Sequence, residues 1–537
     1  MVKKLRPAMS PQKRPSIPPM PTATGKKKHV AGLLQRAQVH FQAGGYGDAR
    51  AVARRVLERD PGNADAYHML AAIAFTEQNF ADAETLFTAA VGMNRHAPHL
   101  RYHLGNVQLA RGHHDSAAGS YREALKLDPS MSAACFGLAM ALQGMGRSQD
   151  AVVHLQRYLE REPRDADGHN AMGIAFQTLG KLDLALAHIR LALSISPDHK
   201  AASKNLATTL LLAGNFREGW PAWLQIFTRT KLKLPDPASA SAPFQGKHVI
   251  IYANEGVGDE IMFASCVPEL INQAAEITLH CDTRLVPLFQ RSFPEVRTLG
   301  MMKENAQKTI GLVAADEMHV LASFLPAYFR PDSESFPQRE SFLLADPVRA
   351  AEWRRRFGNL GTGLKVGLSW RGGLDQANRA RRSIPLTAWA PIFNVPGVHF
   401  VSLQYGDVEA ELEQVRKATA VRIAAWSDAN PLIDLDFFAA QIAALDLVIS
   451  VDNTTVHMAG ALGKPVWALL PLVPDWRWRM AGTATPWYPC VQLFRQQEAG
   501  QWGEVVQQVR TALIARAATG LVDNGGDYSS ARIGNGV

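Results

Sequence analysis

Residues 452–455 (Asp-Asn-Thr-Thr) bring carboxylate, amide and hydroxyl groups together directly after an apolar run at 447–451. A helical pattern at 456–462 and a second apolar run at 466–470 follow, which predicts a βαβ unit of a parallel sheet. Open sheets of this kind bind ligands beyond the carboxyl ends of their strands. The start of the helix favours an anion, and Thr454, Thr455 and His457 can add donors. We therefore predict an anion site here, beside the helix capping expected of Asp452 or Thr454 in any case.

A second polar cluster, Asn-Glu-Gly-Val-Gly-Asp-Glu at 254–260, lies between a predicted strand at 249–253 and a predicted helix at 261–273. Gly256 and Gly258 indicate a tight turn that leaves room for a ligand. Two interpretations of Asp259 stay open: it caps the helix, or it is a general base in a cleft between two halves. The glycines also fit the first two positions of a dinucleotide-binding loop, but Ile261 holds the third small position and disfavours a nicotinamide or flavin enzyme.

Two more polar loops, at 371–373 and 404–407, follow predicted strands at 365–370 and 399–403. In a doubly wound sheet these loops and the 452–455 cluster would face one crevice. We expect Arg371 and Arg382 to pair with a diphosphate there, because guanidinium groups bind phosphate oxygens in pairs. Arg379 and Arg381 are expected to be solvated surface charges.

The amino-terminal half is an array of helix pairs that repeats every 34 residues. Small residues recur at this spacing at Ala37, Ala71, Gly105, Ala139, Gly173 and Ala207, and again at Ala49, Ala83, Ala117, Ala151, Ala185 and Gly219. Prolines follow at Pro61, Pro129, Pro163 and Pro197, with Arg95 as the exception. Small residues let paired helices approach closely and proline stops the second helix, so the pattern resembles the tetratricopeptide repeat, in about six units.

Such arrays form a superhelix with a concave groove, so the expected role is binding a partner protein or peptide. The alternative is that the array only supports or dimerises the rest of the chain, and a homo-oligomer stays open. The sixth unit changes character at 216–220 and is expected to cap the array.

The basic charge of the chain is local. The formal net charge of the 537 residues is +8, and the first 29 residues supply +8 through Lys3, Lys4, Arg6, Lys13, Arg14, Lys26, Lys27 and Lys28. The remainder is near neutral, so the charge does not indicate a nucleic-acid partner. No signal peptide or membrane-spanning segment is expected, and no CxxC pair indicates a metal site, so we predict a cytoplasmic protein whose cysteines are reduced core residues.

The carboxyl-terminal half resembles the heptosyltransferase-like glycosyltransferases of family nine, which have the GT-B architecture of two Rossmann-like halves. The long motif at 452–465 (DNTTVHMAGALGKP) is similar to that family's DTxxxHLAGALGxP, with Asn453 in place of the usual threonine. Shorter similarities are EGVGD at 255–259, VGLSWRG at 366–372, RSIPL at 382–386, SLQ at 402–404, DWRW at 475–478 and PWYP at 486–489. With the repeats in front, the whole chain resembles bacterial tetratricopeptide-repeat glycosyltransferases.

This resemblance implies transfer of a sugar from a nucleotide diphosphate-sugar to a hydroxyl, with inversion and without a bound metal or other cofactor. Asp259 would be the base, and the helix that begins near Thr454, with Thr455 and His457, would hold the diphosphate. The remaining donor-site residues would be Trp370 and Gln404 in the nucleotide pocket, Arg371 and Arg382 on the diphosphate, and Asp452 in the loop or on a sugar hydroxyl.

Two rival functions stay open: a non-catalytic repeat scaffold with a degenerate GT-B domain, and an enzyme of lipopolysaccharide or glycan assembly. The predicted organisation is a disordered basic tail at 1–29, tetratricopeptide repeats at 30–230, a linker at 231–245, an amino-terminal Rossmann-like half at 246–345, a carboxyl-terminal nucleotide-sugar-binding half at 346–517, and a disordered tail at 518–537.

Overall fold

The computed structural model describes residues 26–226, 234–237, 242–301, 317–373, 379 and 381–518. Residues 1–25 of the tail predicted at 1–29, residues 519–537 of the tail predicted at 518–537, and part of the linker predicted at 231–245 lie outside these residues. The chain divides into two compact units at Asn205 and Leu206, and each unit is described separately.

Twelve helices of the described chain form a helical solenoid, which confirms the predicted repeats, and the last helices continue into the second unit. The first helix begins at Lys26, a few residues before the repeats predicted from residue 30. The helices are α1 (Lys26–Gln42), α2 (Tyr46–Arg59), α3 (Ala64–Thr76), α4 (Phe80–Met93), α5 (Pro98–Ala110), α6 (His114–Leu127), α7 (Ser132–Gly144), α8 (Ser148–Arg161), α9 (Ala166–Thr178), α10 (Leu182–Ile195), α11 (Lys200–Leu212) and α12 (Phe216–Gln225).

The small residues of the repeat are buried where paired helices meet. Ala71 and Ala139 have no exposed surface. A Cβ added to Gly105 would lie 2.8 Å from the ring of Tyr121, and one added to Gly173 would lie 2.5 Å from Ile189. A larger side chain at these positions would push the helices apart, which accounts for the period read from the sequence.

A second period of 34 residues, which the sequence analysis missed, fixes the turn inside each repeat. Glycines with positive φ stand at Gly44, Gly112, Gly146, Gly180 and Gly214. The equivalent position of the second repeat is Gln78, with φ 64°. This left-handed conformation costs a residue with a Cβ about 1–2 kcal/mol, so the second repeat carries local backbone strain.

The second unit, from Leu206 onward, contains α12 and two parallel sheets. The strands are β1 (His248–Tyr252), β2 (Glu276–Cys281), β3 (Arg297–Gly300), β4 (Glu317–Leu321), β5 (Leu364–Ser369), β6 (Val398–Ser402), β7 (Leu447–Val451), β8 (Val466–Leu470) and β9 (Val491–Arg495). The helices are α13 (Val257–Phe263), α14 (Val267–Ile271), α15 (Val286–Ser292), α16 (Leu325–Phe329), α17 (Pro347–Gly358), α18 (Ala390–Phe393), α19 (Glu409–Thr419), α20 (Leu435–Ala443), α21 (Thr454–Ala461) and α22 (Gly503–Ala518).

The first sheet has the order β3-β2-β1-β4 and the second has the order β6-β5-β7-β8-β9, and all neighbouring strands are parallel. The predicted strands are present within a residue or two, whereas β3, β4 and β9 were not predicted. The helix predicted at 261–273 begins earlier, at Val257, and is broken into α13 and α14 by a 3₁₀ turn at Ala264–Cys266.

Helix α12 is built into the second unit through its aromatic side chains. Trp220 is almost fully buried, and its indole N–H donates to the carbonyl oxygen of Arg330 over 2.8 Å. Its ring meets those of Trp476 and Trp487 edge-on at centroid distances of 5.7 and 6.5 Å. The last helix of the solenoid therefore belongs to the core of the α/β region.

Within the described ranges, no helix has both the length and the apolar character needed to cross a membrane. Cys135, Cys266 and Cys281 are buried free thiols as expected, but Cys490 is only half-buried.

We expect Gln78→Gly to raise the free energy of unfolding by about 0.5–1 kcal/mol, because glycine relieves the left-handed strain and loses part of that gain through its freedom in the unfolded chain. Gln78 is exposed, so no buried contact is lost. Urea unfolding followed by circular dichroism measures the change.

The matched control is Gly146→Ala, at φ 74° in open space, which should lower stability by about 1 kcal/mol. If both variants left the midpoint unchanged, the positive φ at this turn would carry no strain.

Candidate functional site

The predicted functional loops lie at the switch points of the two sheets. In the first sheet, β2 and β4 lie on opposite sides of β1, and in the second sheet, β6 and β7 lie on opposite sides of β5. At a switch point of this kind, the connections from two neighbouring strands run to opposite sides of the sheet, which opens a crevice for ligands. The first turn of α13, which follows β1, carries Asp259, and the loops after β5 and β7 carry Arg371 and Asp452.

The helix cap in the 452–455 cluster is Asn453, so the prediction of Asp452 or Thr454 was wrong. Asn453 Oδ1 accepts from the N–H of Thr455 over 2.9 Å. Asn453 Nδ2 donates to Ser369 Oγ over 2.7 Å and to the carbonyl oxygen of Arg371 over 3.0 Å. One amide thus caps α21 and ties the end of β7 to the end of β5, and it takes up part of the anion-binding capacity of the helix start.

Asp452 and Arg382 form a half-buried ion pair at the crevice. Asp452 is buried, and its Oδ2 lies 3.2 Å from Nη1 of Arg382. Burial alone would raise the pKa of Asp452, but Arg382 and then Arg477 hold it below its usual range. Asp452 is therefore an ionised partner for arginines, and Arg382 lies at the predicted position.

The start of α13 packs against the start of α21, and Gly258 makes this approach possible. A Cβ on Gly258 would lie 2.9 Å from Cδ2 of His457 and 3.5 Å from Oγ1 of Thr454. The predicted need for glycine at 258 thus has a packing cause. Gly256, with φ −70°, needs no left-handed conformation, and its N–H donates to Asp259 Oδ2 over 3.2 Å.

His457 is buried among aromatic rings. Its Nδ1 lies 2.9 Å from the hydroxyl oxygen of Tyr488, and its ring stacks on Trp478 at 5.2 Å. Burial first, and then the nearby charge of Arg477, lower the pKa of His457 to about 4. His457 is therefore neutral at pH 7, and like the buried Thr455 it supports the first turn of α21 from within.

The N-cap of α13 is Gly256, and Asp259 is the third residue of the helix, so the interpretation of Asp259 as the N-cap was wrong. It is mostly buried and forms an ion pair with Arg477, a residue of the segment after β8. Arg477 in turn lies 2.7 Å from Asp475. Charged groups from both sheets therefore meet in one place.

Three predicted donor residues do not reach the crevice directly. Trp370 has no exposed surface and lies in the core of the second sheet, with its indole N–H donating to Glu411, so its predicted place in a nucleotide pocket was wrong. Gln404 is also buried, and its Oε1 accepts from the N–H groups of Trp370 and Arg371 over 2.9 and 2.7 Å. Arg371 pairs with Glu411 at 3.2 Å. These residues shape the loop after β5.

The two arginines assigned to the surface, Arg379 and Arg381, are exposed. Asp475, Arg477 and Tyr488 lie within the DWRW and PWYP similarities, but their sequence context alone predicts no role for them. The signal for Asn453 was its departure from the family motif, which has threonine at this position. The roles of these residues depend on contacts with residues that are distant in sequence, which a single sequence does not reveal.

Comparisons with known proteins identify the repeats. Models of the tetratricopeptide repeat match residues 30–73, 68–132, 108–174 and 166–199. Protein FlbA of Caulobacter vibrioides is 30% identical over 546 residues, which cover 92% of this chain and 90% of FlbA. Anaphase-promoting complex subunit 7 of Arabidopsis thaliana is 28% identical over 186 residues, 34% of this chain and 32% of that protein.

Similar solved structures cover about a third of this chain. One is YrrB, described as a TPR protein with an unusual peptide-binding site, with a TM-score of 0.30, 22% identity, and coverage of 34% of this chain and 97% of YrrB. Another is PilF of Pseudomonas aeruginosa, with a TM-score of 0.35, 17% identity, and coverage of 38% and 92%.

The buried His457 predicts a loss of stability in mild acid. The unfolded imidazole takes up a proton near pH 6.5, whereas the folded one does so only near its pKa of about 4. Its contribution is therefore complete above about pH 6.5 and is lost as the pH falls toward about 4. We expect wild type to lose about 2 kcal/mol more than His457→Gln between about pH 7 and about pH 5.

Urea unfolding at both pH values measures this difference, and His96→Gln, at an exposed position, is the control that should keep the wild-type profile. Equal acid sensitivity of wild type and His457→Gln would contradict the assignment of a neutral buried imidazole.

Proposed function

The chain belongs to the same family as protein FlbA of Caulobacter vibrioides, and we propose that it is a glycosyltransferase that moves a sugar from a nucleotide diphosphate-sugar to a hydroxyl group of a protein. The proposal rests above all on one observation: Asp259, at the switch point of the first sheet, pairs with Arg477 beside the start of α21 and near the Asp452–Arg382 pair at the switch point of the second sheet. Sugar transfer needs a base and an anion site that face each other.

The proposed architecture is GT-B, with two Rossmann-like halves. The orders β3-β2-β1-β4 and β6-β5-β7-β8-β9 support this, because in each sheet the chain first runs outward on one side and then returns to the other. The long motif at 452–465 and its neighbours support the same assignment.

In this mechanism Asp259 takes the proton of the acceptor hydroxyl as the oxygen attacks the anomeric carbon from the face opposite the leaving group. The bond to the nucleoside diphosphate breaks, and the configuration inverts. Asp259 suits this role because its carboxylate is held at the crevice by Arg477 and by the N–H of Gly256.

When the bond to the anomeric carbon breaks, the leaving nucleoside diphosphate gains one negative charge that needs a partner. Arg382 and the first turn of α21 can bind this charge, and the exposed Arg381 adds a second cationic group nearby. Fixed cationic groups of this kind can replace a divalent metal in stabilising the leaving group. Asn453 and Gln404 hold the loops, since their amides bind backbone groups of the chain.

The repeats supply the reason for a protein acceptor. Tetratricopeptide repeats suggest protein or peptide binding, and at least five helix pairs of the described chain precede the α/β region. An acceptor held by the solenoid would be presented to the base at high effective concentration.

The test uses the full-length protein, a panel of labelled UDP-, GDP- and ADP-sugars, and an extract that supplies protein and lipid acceptors. We expect one donor to label a protein band. Asp259→Asn should lower the rate by about 10³-fold, the usual contribution of a general base, while calorimetric binding of the matching nucleoside diphosphate persists. Asp428→Asn, at an exposed carboxylate paired with Arg356, is the control and should act as wild type.

Label confined to the lipid fraction would instead identify an enzyme of lipid-linked glycan assembly. If no nucleoside diphosphate bound and no donor were consumed, the chain would be a repeat scaffold with a non-catalytic α/β region.

A further inference from the structure

Arg477 is a buried cation to which the sequence analysis assigned no role. Its side chain is 11% exposed, and its two terminal nitrogens point at two carboxylates. Nη2 pairs with Asp259 on α13, and Nη1 lies 2.7 Å from Asp475 Oδ1. The residue thus joins the first sheet's switch-point loop to the segment that follows β8.

The guanidinium has a fixed support behind it. Its central carbon lies 5.2 Å from the ring centroid of Trp476. The Trp476 ring is in turn held by Trp220 and Trp223 of α12, each at a centroid distance of 5.7 Å, and by Trp487 at 6.3 Å. A side chain held on one side by aromatic rings and on the other by Asp475 has little freedom to move.

The charge of Arg477 is secure in spite of its burial. Burial acts to lower the pKa of Arg477, but Asp259, Asp475 and Asp452 more than offset this and raise it above the ordinary arginine value. Other charged or titratable groups that face this cluster include Arg381, Arg382, His457 and Tyr488. Arg477 is therefore a permanent positive charge beside the proposed base.

We propose that Arg477 is the positioning residue for Asp259, fixing the direction in which this carboxylate meets the acceptor hydroxyl. One oxygen of Asp259 is held by Arg477 and the other by the N–H of Gly256, so the plane of the carboxylate is set. Each oxygen keeps a further lone pair for the incoming O–H group. This inference rests on the proposed function, because it presumes that Asp259 is the base.

A different role for the same residue makes a different kinetic prediction. If Arg477 bound the diphosphate of the donor directly, its loss would weaken nucleotide binding. As a positioning residue it should affect the rate of transfer and leave nucleotide binding almost unchanged, because misplacing a reacting group by about 1 Å can cost 10²-fold in rate.

The variants are Arg477→Gln, which removes the charge, and Arg477→Lys, which keeps a charge but cannot reach two carboxylates with a planar fork. We expect kcat to fall about 100-fold in Arg477→Gln and about 10-fold in Arg477→Lys, with the Kd for the preferred nucleoside diphosphate, among UDP, GDP and ADP, within about threefold of wild type. Arg382→Gln, which removes the partner of Asp452, is the contrast and should weaken that Kd.

An unchanged kcat in Arg477→Gln, or a weakened Kd with unchanged kcat, would overturn the proposal. If Arg477→Gln does not fold, as judged by circular dichroism, Arg477→Lys decides by the same criteria. A merely structural role would lower the amount of active protein equally for binding and for turnover.

A second measurement on the free protein separates this inference from the proposed function. Carbodiimide labelling of carboxyl groups, followed by peptide mass spectrometry, should modify Asp259 several times more in Arg477→Gln than in wild type, with Asp428 as the internal reference. Equal labelling of Asp259 in both proteins would overturn the positioning of Asp259 by Arg477. Increased labelling in a protein that transfers no sugar would support the positioning and overturn the proposed function alone.

Discussion

The α/β region depends on a cluster of buried ion pairs whose acidic and basic side chains come from both sheets. Asp259 belongs to the first sheet and Asp452 to the second, and Arg477 and Arg382 lie among them. Burying an unpaired charge costs several kcal/mol. Removing any one of these side chains would therefore leave its partner as an unpaired buried charge. The ion pairs therefore hold the two switch-point regions together. Gly258 lets the start of α13 approach the start of α21 closely enough for these pairs to form.

The sequence predicted those parts of the fold that local chemistry determines. The apolar runs at 447–451 and 466–470 match β7 and β8, because a strand buried on both faces needs a continuous apolar run. The repeat was predictable from small residues, since a Cβ at Gly105 or Gly173 would collide with the neighbouring helix. Strands β3, β4 and β9 gave weaker patterns and were missed.

The site was harder to predict because its roles depend on contacts that are distant in sequence. Asp452, Asn453 and Thr454 are all good capping residues, and only the bonds of Asn453 to Ser369 and Arg371 show which one caps α21. Trp370 directly follows β5, and the sequence does not reveal whether its side chain faces the core or the crevice. Arg477 and Asp259 are 218 residues apart, so their pairing follows from the fold alone.

Helix α12 does more than pack against the α/β region, because its aromatic side chains support Arg477. Trp220 and Trp223 come from the last helix of the solenoid, and they hold the ring on which Arg477 lies. Rigid aromatic contacts transmit a displacement because a packed interior does not absorb it. A shift of α12 would therefore move Trp476, and with it the cation that holds Asp259. The α/β region thus requires α12 for the geometry of its crevice, and the boundary between repeats and site lies before this helix rather than after it.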